Sequence, residues 1–266
     1  MVLLGNTPYV ATRAKSRRQK LADRSRLRQL INQSPEQLTV AVGEIGYRAE
    51  IDLYAGQLTG GDLVEAALTH NLQHELATML SMCDVKVRGI VETYTSRFEY
   101  HNAKVVLRAV VNDVELEKVS HSILPELNDI NTPWLKIIEN AEDLRSAVVQ
   151  MRRKSFGPAL IAVPDGSRLS DYEDALDIHY FKKALTSLNG NGGDVRFLNE
   201  LLAAEIDHRN LLNILEAEAV GISLENIVSM LVPGGRLVNT RAFSSIAAGG
   251  RDAAIDLLRG ADRFDF

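Results

Sequence analysis

The hydrophobic positions of this chain recur at three-, four- and five-residue steps, the spacing of one face of an α-helix. The longest series comprises Leu63, Ala66, Ala67, Leu72, Leu76 and Leu80, with Val64, Leu68 and Met79 beside it. The same spacing recurs at Ala103, Val106, Leu107 and Val110, and again at Leu211, Ile214 and Leu215. The apolar run 159–163 is too short to assign, and no convincing alternating strand with a hairpin turn is present. The pattern predicts an all-α protein with helices of about ten to thirty residues.

Polar residues, glycine and proline indicate where these helices begin and end. Ser34 followed by Pro35 is typical of an N-cap and the first helical position, and Asp171 is predicted to cap the segment 172–188. Breaks are expected at residues 60–61, 125, 132–133, 164–166, 189–193 and 233–235. The chain is therefore predicted to form a series of helices separated by short connections.

An internal repeat becomes visible when the chain is compared with itself at a shift of 108 residues. Residues 98–138 align with 206–246 without a gap and share nine identities in 41 positions. The identical pairs are Asn102/Asn210, Leu107/Leu215, Ala109/Ala217, Leu116/Leu224, Glu117/Glu225, Pro125/Pro233, Asn131/Asn239, Thr132/Thr240 and Ile138/Ile246. We expect the two copies to follow the same helix–loop–helix path.

The same shift relates residues 64–80 to 172–188 and so extends the repeat. The repeat predicts three similar helical domains, at residues 1–95, 96–195 and 196–266. We expect the three domains to place similar faces around a common centre. A complete third copy would run to about residue 296. We therefore expect the third domain to be incomplete, with an exposed apolar face where its closing helix would pack.

Each copy carries an acidic residue three positions before the shared asparagine: Glu99 with Asn102, and Asp207 with Asn210. This spacing places both side chains one turn apart on one side of a helix start, where both suit the exposed N–H groups and the helix dipole. Two interpretations follow from it. Either these residues build the fold, or they line a shared polar surface that binds a partner, and the repeat supports both.

Composition and charge narrow the class of protein. The 266 residues are 45% hydrophobic and 24% charged, as in a globular chain, and the one cysteine, Cys83, excludes an internal disulfide framework. No apolar run reaches the roughly 18–20 residues of a membrane span. The net charge of −5 divides into +7 for residues 1–33 and −12 for the remainder. Three interpretations of the basic segment are open: it binds nucleic acid, it forms a solvated helix face, or it docks on an acidic partner. Binding of nucleic acid is disfavoured because the segment lacks interleaved aromatic residues.

Candidate catalytic and metal-binding patterns are sparse. Glu205 and His208 have a spacing found in di-iron helix bundles, but such a site needs a second pair and two further glutamates. His70 and His74 lie one helical turn apart and lack the glutamate of a zinc-protease motif. Cys83 lies among apolar residues and is interpreted as a core residue. The sequence therefore predicts no catalytic residue, metal, cofactor or small-molecule substrate.

Three stretches of the chain together resemble a known family. The first is residues 9–16 with 34–38 and Tyr47; the second is Glu99, Asn102 and residues 107–109; the third is residues 205–215 with 231–235. Their order and spacing are similar to those of the C subunits of archaeal A-type and bacterial V-type ATP synthases, which are related to the d subunits of eukaryotic V-ATPases. Glu99 stands where this family usually has aspartate, and Glu216 where it usually has arginine.

The resemblance implies a fold and a role. It implies three all-helical domains in a pseudo-threefold funnel, of which the third is truncated here. It also implies a non-catalytic rotor protein, peripheral on the cytoplasmic face of the membrane, between the proteolipid c ring and the central shaft. Transferred residue by residue, it marks the candidate partner-binding positions Glu99, Asn102, Arg108, Asp207 and Asn210. The alternatives are a helical repeat scaffold of a soluble complex and a nucleic-acid-binding protein that uses the basic segment.

Overall fold

The computed structural model describes residues 6–124, 132–219, 221 and 231–238, with single positions at 245, 246, 249, 252, 253, 255 and 256. All regular structure within these residues is helical, and they contain no β-strand. The predicted all-α class is thus confirmed for the described part of the chain. The unassigned run 159–163 overlaps a short helix, Gly157–Ile161, which begins with a proline in its first turn.

The chain divides into two compact units, Met1–Lys154 and Ser155–Phe266. The described helices of the first unit are α1 (Thr7–Arg18), α2 (Arg24–Ile31), α3 (Pro35–Val42), α4 (Arg48–Tyr54), α5 (Gly60–Met82), α6 (Val85–Thr95), α7 (Arg97–Val111), α8 (Leu116–Ser120), α9 (Thr132–Asn140) and α10 (Leu144–Gln150). A 3₁₀ turn, Met151–Arg153, follows α10. Among the described helices of the chain, none is long and apolar enough to cross a membrane.

The described helices of the second unit are α11 (Gly157–Ile161), α12 (Leu169–Ser187) and α13 (Gly193–Ala219). Arg209 on α13 forms an ion pair with Asp177 on α12, which ties these two long helices together. Predicted breaks at 60–61, 132–133, 164–166 and 189–193 coincide with helix starts or connections, whereas Pro125 lies outside the described residues. The division into three domains and the exposed apolar face of the third remain predictions.

Helix starts follow the predicted capping chemistry in one case and differ in another. Ser34 caps α3: its hydroxyl accepts from the Gln37 N–H while the Gln37 side chain accepts from the Ser34 N–H, a reciprocal capping box. The prediction that Asp171 is an N-cap is wrong. The cap is Arg168, and Asp171 lies at the third helical position, where its carboxylate accepts from the Arg168 N–H at 2.8 Å. The Asp171 carboxylate therefore caps the start of α12 from inside its first turn.

The first apolar cluster forms where α5 packs against α3 and α4. Its buried members are Val42, Ile51, Leu63, Val64 and Ala67. Ala67 has no exposed surface, so the small side chain permits close contact between helices. Further along α5, Leu68 and Leu72 keep 39% and 38% of their surface exposed. The predicted apolar face is therefore only partly covered in the middle of α5.

A π-helical turn, Gly43–Tyr47, joins α3 to α4. Within it Gly46 has φ of 117°, in the left-handed region that side chains with a Cβ disfavour. The backbone at Gly46 is non-helical, so this glycine lets the chain kink between α3 and α4.

The second apolar cluster holds α1 against the junction of α5 and α6. Val10, Cys83 and Val87 are buried there, with Met79 and Met82 packed beside them. Asn6 adds two hydrogen bonds to the same contact. Its Nδ2 donates to Met82 O at 2.7 Å, and its Oδ1 accepts from Asp84 N at 3.1 Å. Asp84 in turn accepts from the N–H groups of Val87 and Asn6, which lowers the pKa of its carboxyl.

The interpretation of Cys83 as a core residue is confirmed by its 8% exposure. Burial raises the pKa of its thiol, so a smaller fraction is the reactive thiolate at neutral pH. We predict that iodoacetamide alkylates the folded protein about tenfold or more slowly than the same chain in denaturant. Because Cys83 is the one cysteine, mass spectrometry of the whole chain measures its rate directly. Equal rates in the two states would contradict this placement.

Candidate functional site

The two repeated asparagines make the same pair of hydrogen bonds. Asn102 on α7 donates from Nδ2 to Leu124 O at 2.6 Å and accepts at Oδ1 from Leu124 N at 2.9 Å. Asn210 on α13 makes the same two bonds to Val232, both at 2.8 Å. In each copy the partner stands 22 residues later and directly precedes a proline. The repeat seen in the sequence therefore corresponds to a repeated structural anchor, and residues 222–230 lie outside the described part of the path.

The apolar positions that follow each asparagine face inward, as predicted. Val106 and Leu107 have no exposed surface, and Ile214 keeps only 2%. Ala109 and Ala217 are also buried, so small side chains occupy the same closely packed position in both copies. Leu215 is half-buried and packs on a cluster that includes Val238 and Ile246. The face that the two copies share is thus their packing face.

Asp207 is buried and fixes the loop that returns to α13. Its carboxylate accepts from the backbone N–H groups of Arg236, Leu237 and Val238 at 2.9–3.0 Å. Gly235 must be glycine here, because a Cβ at that position would collide with the Asp207 carboxylate. The expectation that this acid sits at a helix start is wrong for the third copy. Since α13 begins at Gly193, Asp207 lies in mid-helix, and the N–H groups it satisfies belong to the returning loop.

Glu99, the counterpart of Asp207, has a different environment. It lies in the first turn of α7, as expected, and pairs with Lys154 at 3.2 Å. The Lys154 ammonium also lies 4.4 Å from the ring centre of the buried Trp134 on α9, a cation–π contact. Residues 128–130, which align with the loop held by Asp207, are outside the described residues. Glu99 therefore links α7 to the end of the first unit.

The five predicted partner-binding positions differ in exposure. Asn102, Asp207 and Asn210 are only 3%, 3% and 1% exposed, and their polar atoms bind the backbone of the same chain. Glu99 is half-exposed and Arg108 is exposed on α7. The geometry supports the fold-building interpretation for the three buried residues, and partner binding remains a prediction for the set. Sequence reasoning did not identify Asn6, Lys154 or Trp134, since no repeat or motif marks them.

A cavity of about 380 Å³ opens beside Glu99 and Asn102. Its walls are mainly apolar and include Leu76 and Leu80 of α5 and Phe98 of α7. Glu99 and Lys154, already paired, provide its charged groups. The cavity is therefore a mainly apolar recess with one paired acid and base at its edge.

One histidine of the candidate metal-binding patterns makes a side-chain contact within the chain. His70 Nδ1 forms a 3.0 Å hydrogen bond with the Tyr54 hydroxyl, which holds the ring in a structural contact. No group of three or more potential metal ligands occurs among the described residues. Desolvation lowers the pKa of His101 and of His179, and the nearby Arg108 and Lys183 charges act in the same direction. Both imidazoles are therefore neutral near pH 7.

The basic segment is partly neutralised within the first unit. Arg17 on α1 forms an ion pair with Glu75 on α5, and Arg26 on α2 lies 3.6 Å from Glu44. The other arginines and lysines of residues 13–28 are mostly exposed. The segment is therefore folded onto the first unit, with its positive charge concentrated on that unit's surface.

These features describe a helical protein with an internal repeat, in which buried polar groups fix the connections between helices. The chain belongs to the ATP synthase (C/AC39) subunit family, whose model matches residues 10–266. This match confirms the resemblance inferred from the sequence.

Several archaeal proteins described as the C subunit of an A-type ATP synthase are similar to the chain. That of Methanococcoides burtonii is 24% identical over 231 residues, 86% of this chain and 64% of that protein. That of Haloferax volcanii is 26% identical over 246 residues, 91% of this chain and 70% of its own length. That of Archaeoglobus fulgidus is 23% identical over 264 residues, 98% of this chain and 76% of its own length. The chain thus spans about two thirds to three quarters of these relatives.

We predict that Asn102→Ala and Asn210→Ala each lower the free energy of unfolding by about 2–4 kcal/mol. Each change removes two hydrogen bonds and leaves a buried N–H and C=O of the residue before the proline unpaired. Asn140→Ala is the matched control, since Asn140 is exposed and donates only to Lys136 O within its own helix. Urea unfolding should show a change within about 0.5 kcal/mol for the control. Equal effects at buried and exposed asparagines would refute the anchor.

The two acidic positions provide a second comparison. Asp207→Ala leaves three backbone N–H groups of residues 236–238 without their acceptor and should cost about 3 kcal/mol or more. Glu99→Ala removes a half-exposed ion pair and should cost about 1 kcal/mol or less. Urea unfolding of the two variants measures the difference. A larger loss at Glu99 than at Asp207 would contradict the assignment of Asp207 as the loop anchor.

Proposed function

We propose that this chain is a non-catalytic central-stalk subunit of an A-type or V-type ATP synthase. In this role it joins the central shaft to the membrane proteolipid ring and turns with them during proton- or sodium-driven ATP synthesis or hydrolysis. The observation that carries the proposal is the family match, which extends over residues 10–266. The archaeal relatives, which are named as C subunits of A-type ATP synthases, support the same assignment.

The internal construction of the chain is suited to that role. A protein that passes torque between two partners must resist deformation of its loops as well as its helices. Here Asn102, Asn210 and Asp207 fix the connections through hydrogen bonds inside the protein, where fully satisfied polar networks make a structure rigid. We extend the proposal to three similar domains arranged as a funnel and to attachment at the cytoplasmic face through the complex.

Surface contacts with partners are proposed at the two members of the predicted site that reach the surface, the exposed Arg108 and the half-exposed Glu99. Arg108 lies near the C-terminal end of α7, and Glu99 lies at its N-terminal end. The Asn102 side chain, on the same helix, is occupied by the backbone of Leu124. Partner contacts in this region therefore involve the charged ends of α7 rather than its buried polar centre.

The proposal is tested by affinity purification of the tagged full chain from its own cells in mild detergent. We predict that proteolipid and shaft proteins of the synthase are recovered with it, as identified by mass spectrometry. Recovery of neither refutes the rotor assignment, and recovery of soluble proteins alone would favour the scaffold alternative. Nucleic acid retained at low salt would favour the third alternative.

A variant pair sharpens the same experiment. Arg108→Glu reverses an exposed charge on α7 and should reduce recovery of at least one partner. Lys136→Glu, which makes the same change at an exposed position on α9, is the matched control. Thermal unfolding of both variants separates loss of contact from loss of fold. Equal recovery with both variants would remove Arg108 from the proposed interface.

A further inference from the structure

A basic groove of about 760 Å³ crosses the first unit between α1, the π-helical turn Gly43–Tyr47 and α5. One wall follows α1 from Ala11 to Arg18, and the opposite wall follows α5 from Asn71 to Met79. At 1.5 Å per residue these walls are about 10–12 Å long, which corresponds to about two turns of a further helix. The groove is thus a concave channel between two helices.

The charge of the groove is strongly positive. Its described lining contains four cationic side chains, Lys15, Arg17, Arg18 and Lys20, and one carboxylate, that of Glu75. Arg17 and Glu75 pair with each other. Three exposed cations therefore remain in excess along one side of the channel, and they attract a negatively charged occupant.

The lining of the groove also contains apolar residues, which the occupant must cover. Ala11 and Ala14 present small side chains on α1, while Ile45, Tyr47 and Met79 present half-buried apolar surface. Alanine leaves room for another backbone to approach closely, and the half-buried residues gain further burial when it does. An occupant must therefore carry an apolar stripe next to its acidic groups.

We propose that the basic groove binds an acidic amphipathic α-helix of a partner protein. Such a helix combines an apolar stripe with a row of carboxylates, which complement the apolar lining and the exposed cations of the groove. A lipid bilayer is flat at this scale and cannot enter a channel between two helices. A nucleic acid duplex presents phosphates to its surroundings and has no apolar stripe to cover the half-buried apolar residues of the groove.

This inference concerns groove chemistry and does not require the rotor role. The probe is a synthetic, fluorescently labelled helical peptide with glutamates in one row and leucines in the adjacent row, and its control has every glutamate replaced by glutamine. We expect saturable binding of the acidic peptide to the full chain by fluorescence anisotropy, weakening as salt rises. The glutamine peptide should bind about tenfold or more weakly, because the charge complementarity is lost.

Two triple variants locate the binding. Lys15→Gln, Arg18→Gln and Lys20→Gln together remove the cation row and should weaken binding about tenfold. Arg13→Gln, Arg24→Gln and Arg28→Gln remove the same charge from exposed positions of the same segment that do not line the groove, and should leave affinity within about twofold. Circular dichroism verifies that both variants keep their helical content.

Three results would overturn the proposal. The first is no saturable binding of the acidic peptide to the unmodified chain. The second is equal weakening by the two triple variants, which would mean general attraction to the basic segment. The third is tighter binding of phosphatidylserine vesicles or duplex DNA than of the peptide, which would identify another occupant. If the peptide fails to bind while shaft and ring proteins still co-purify, the groove inference fails and the rotor proposal stands.

Discussion

The bond pair between a helix asparagine and the residue before a proline is the interaction on which the repeated unit depends. The α conformation is disfavoured for a residue that precedes proline, so a helix usually ends there and its N–H and C=O fall outside the regular helical bonding. When that residue is buried, both groups need partners from elsewhere. The carboxamide of Asn102 or Asn210 supplies one acceptor and one donor with the geometry of a peptide group. An ionised aspartate, although similar in size, could only accept, and leucine could neither donate nor accept.

The acidic position shows how far the two copies have diverged around this shared anchor. In the third copy the loop carries Gly234 and Gly235, and the latter approaches Asp207 so closely that the carboxylate reaches three successive N–H groups. In the second copy the aligned sequence positions hold Glu126 and Leu127, which lie outside the described residues, and Glu99 pairs with Lys154. The asparagine bond pair is thus common to both copies, whereas the glycine pair that accompanies Asp207 is found in the sequence of only one of them.

The sequence could predict those interactions that are local in the chain or that occur in both copies of the repeat. Helical periodicity and the Ser34 N-cap depend on residues a few positions apart, and both predictions were confirmed for the described residues. Asn102 and Asn210 were found because two copies of one chain can be compared with each other. The mid-helix position of Asp207 was missed because helix length in α13 depends on tertiary packing. Lys154, Trp134 and the basic groove were missed because distant segments create them.

The charge asymmetry of the sequence gains a structural meaning from the same contacts. A free basic arm would carry its charge on a mobile segment, but α1 is fixed by Asn6 and by the Val10–Cys83–Val87 cluster. The positive charge is consequently held in a defined geometry, with one ion pair to Glu75 that neutralises only part of it. A row of cations held in place beside an apolar surface selects both the charge of a partner and the orientation in which it binds. A flexible basic arm would select only the charge. For a protein proposed to turn with its partners, docking at a fixed angle is the property that allows torque to be transmitted, and the anchored first unit supplies a surface able to impose it.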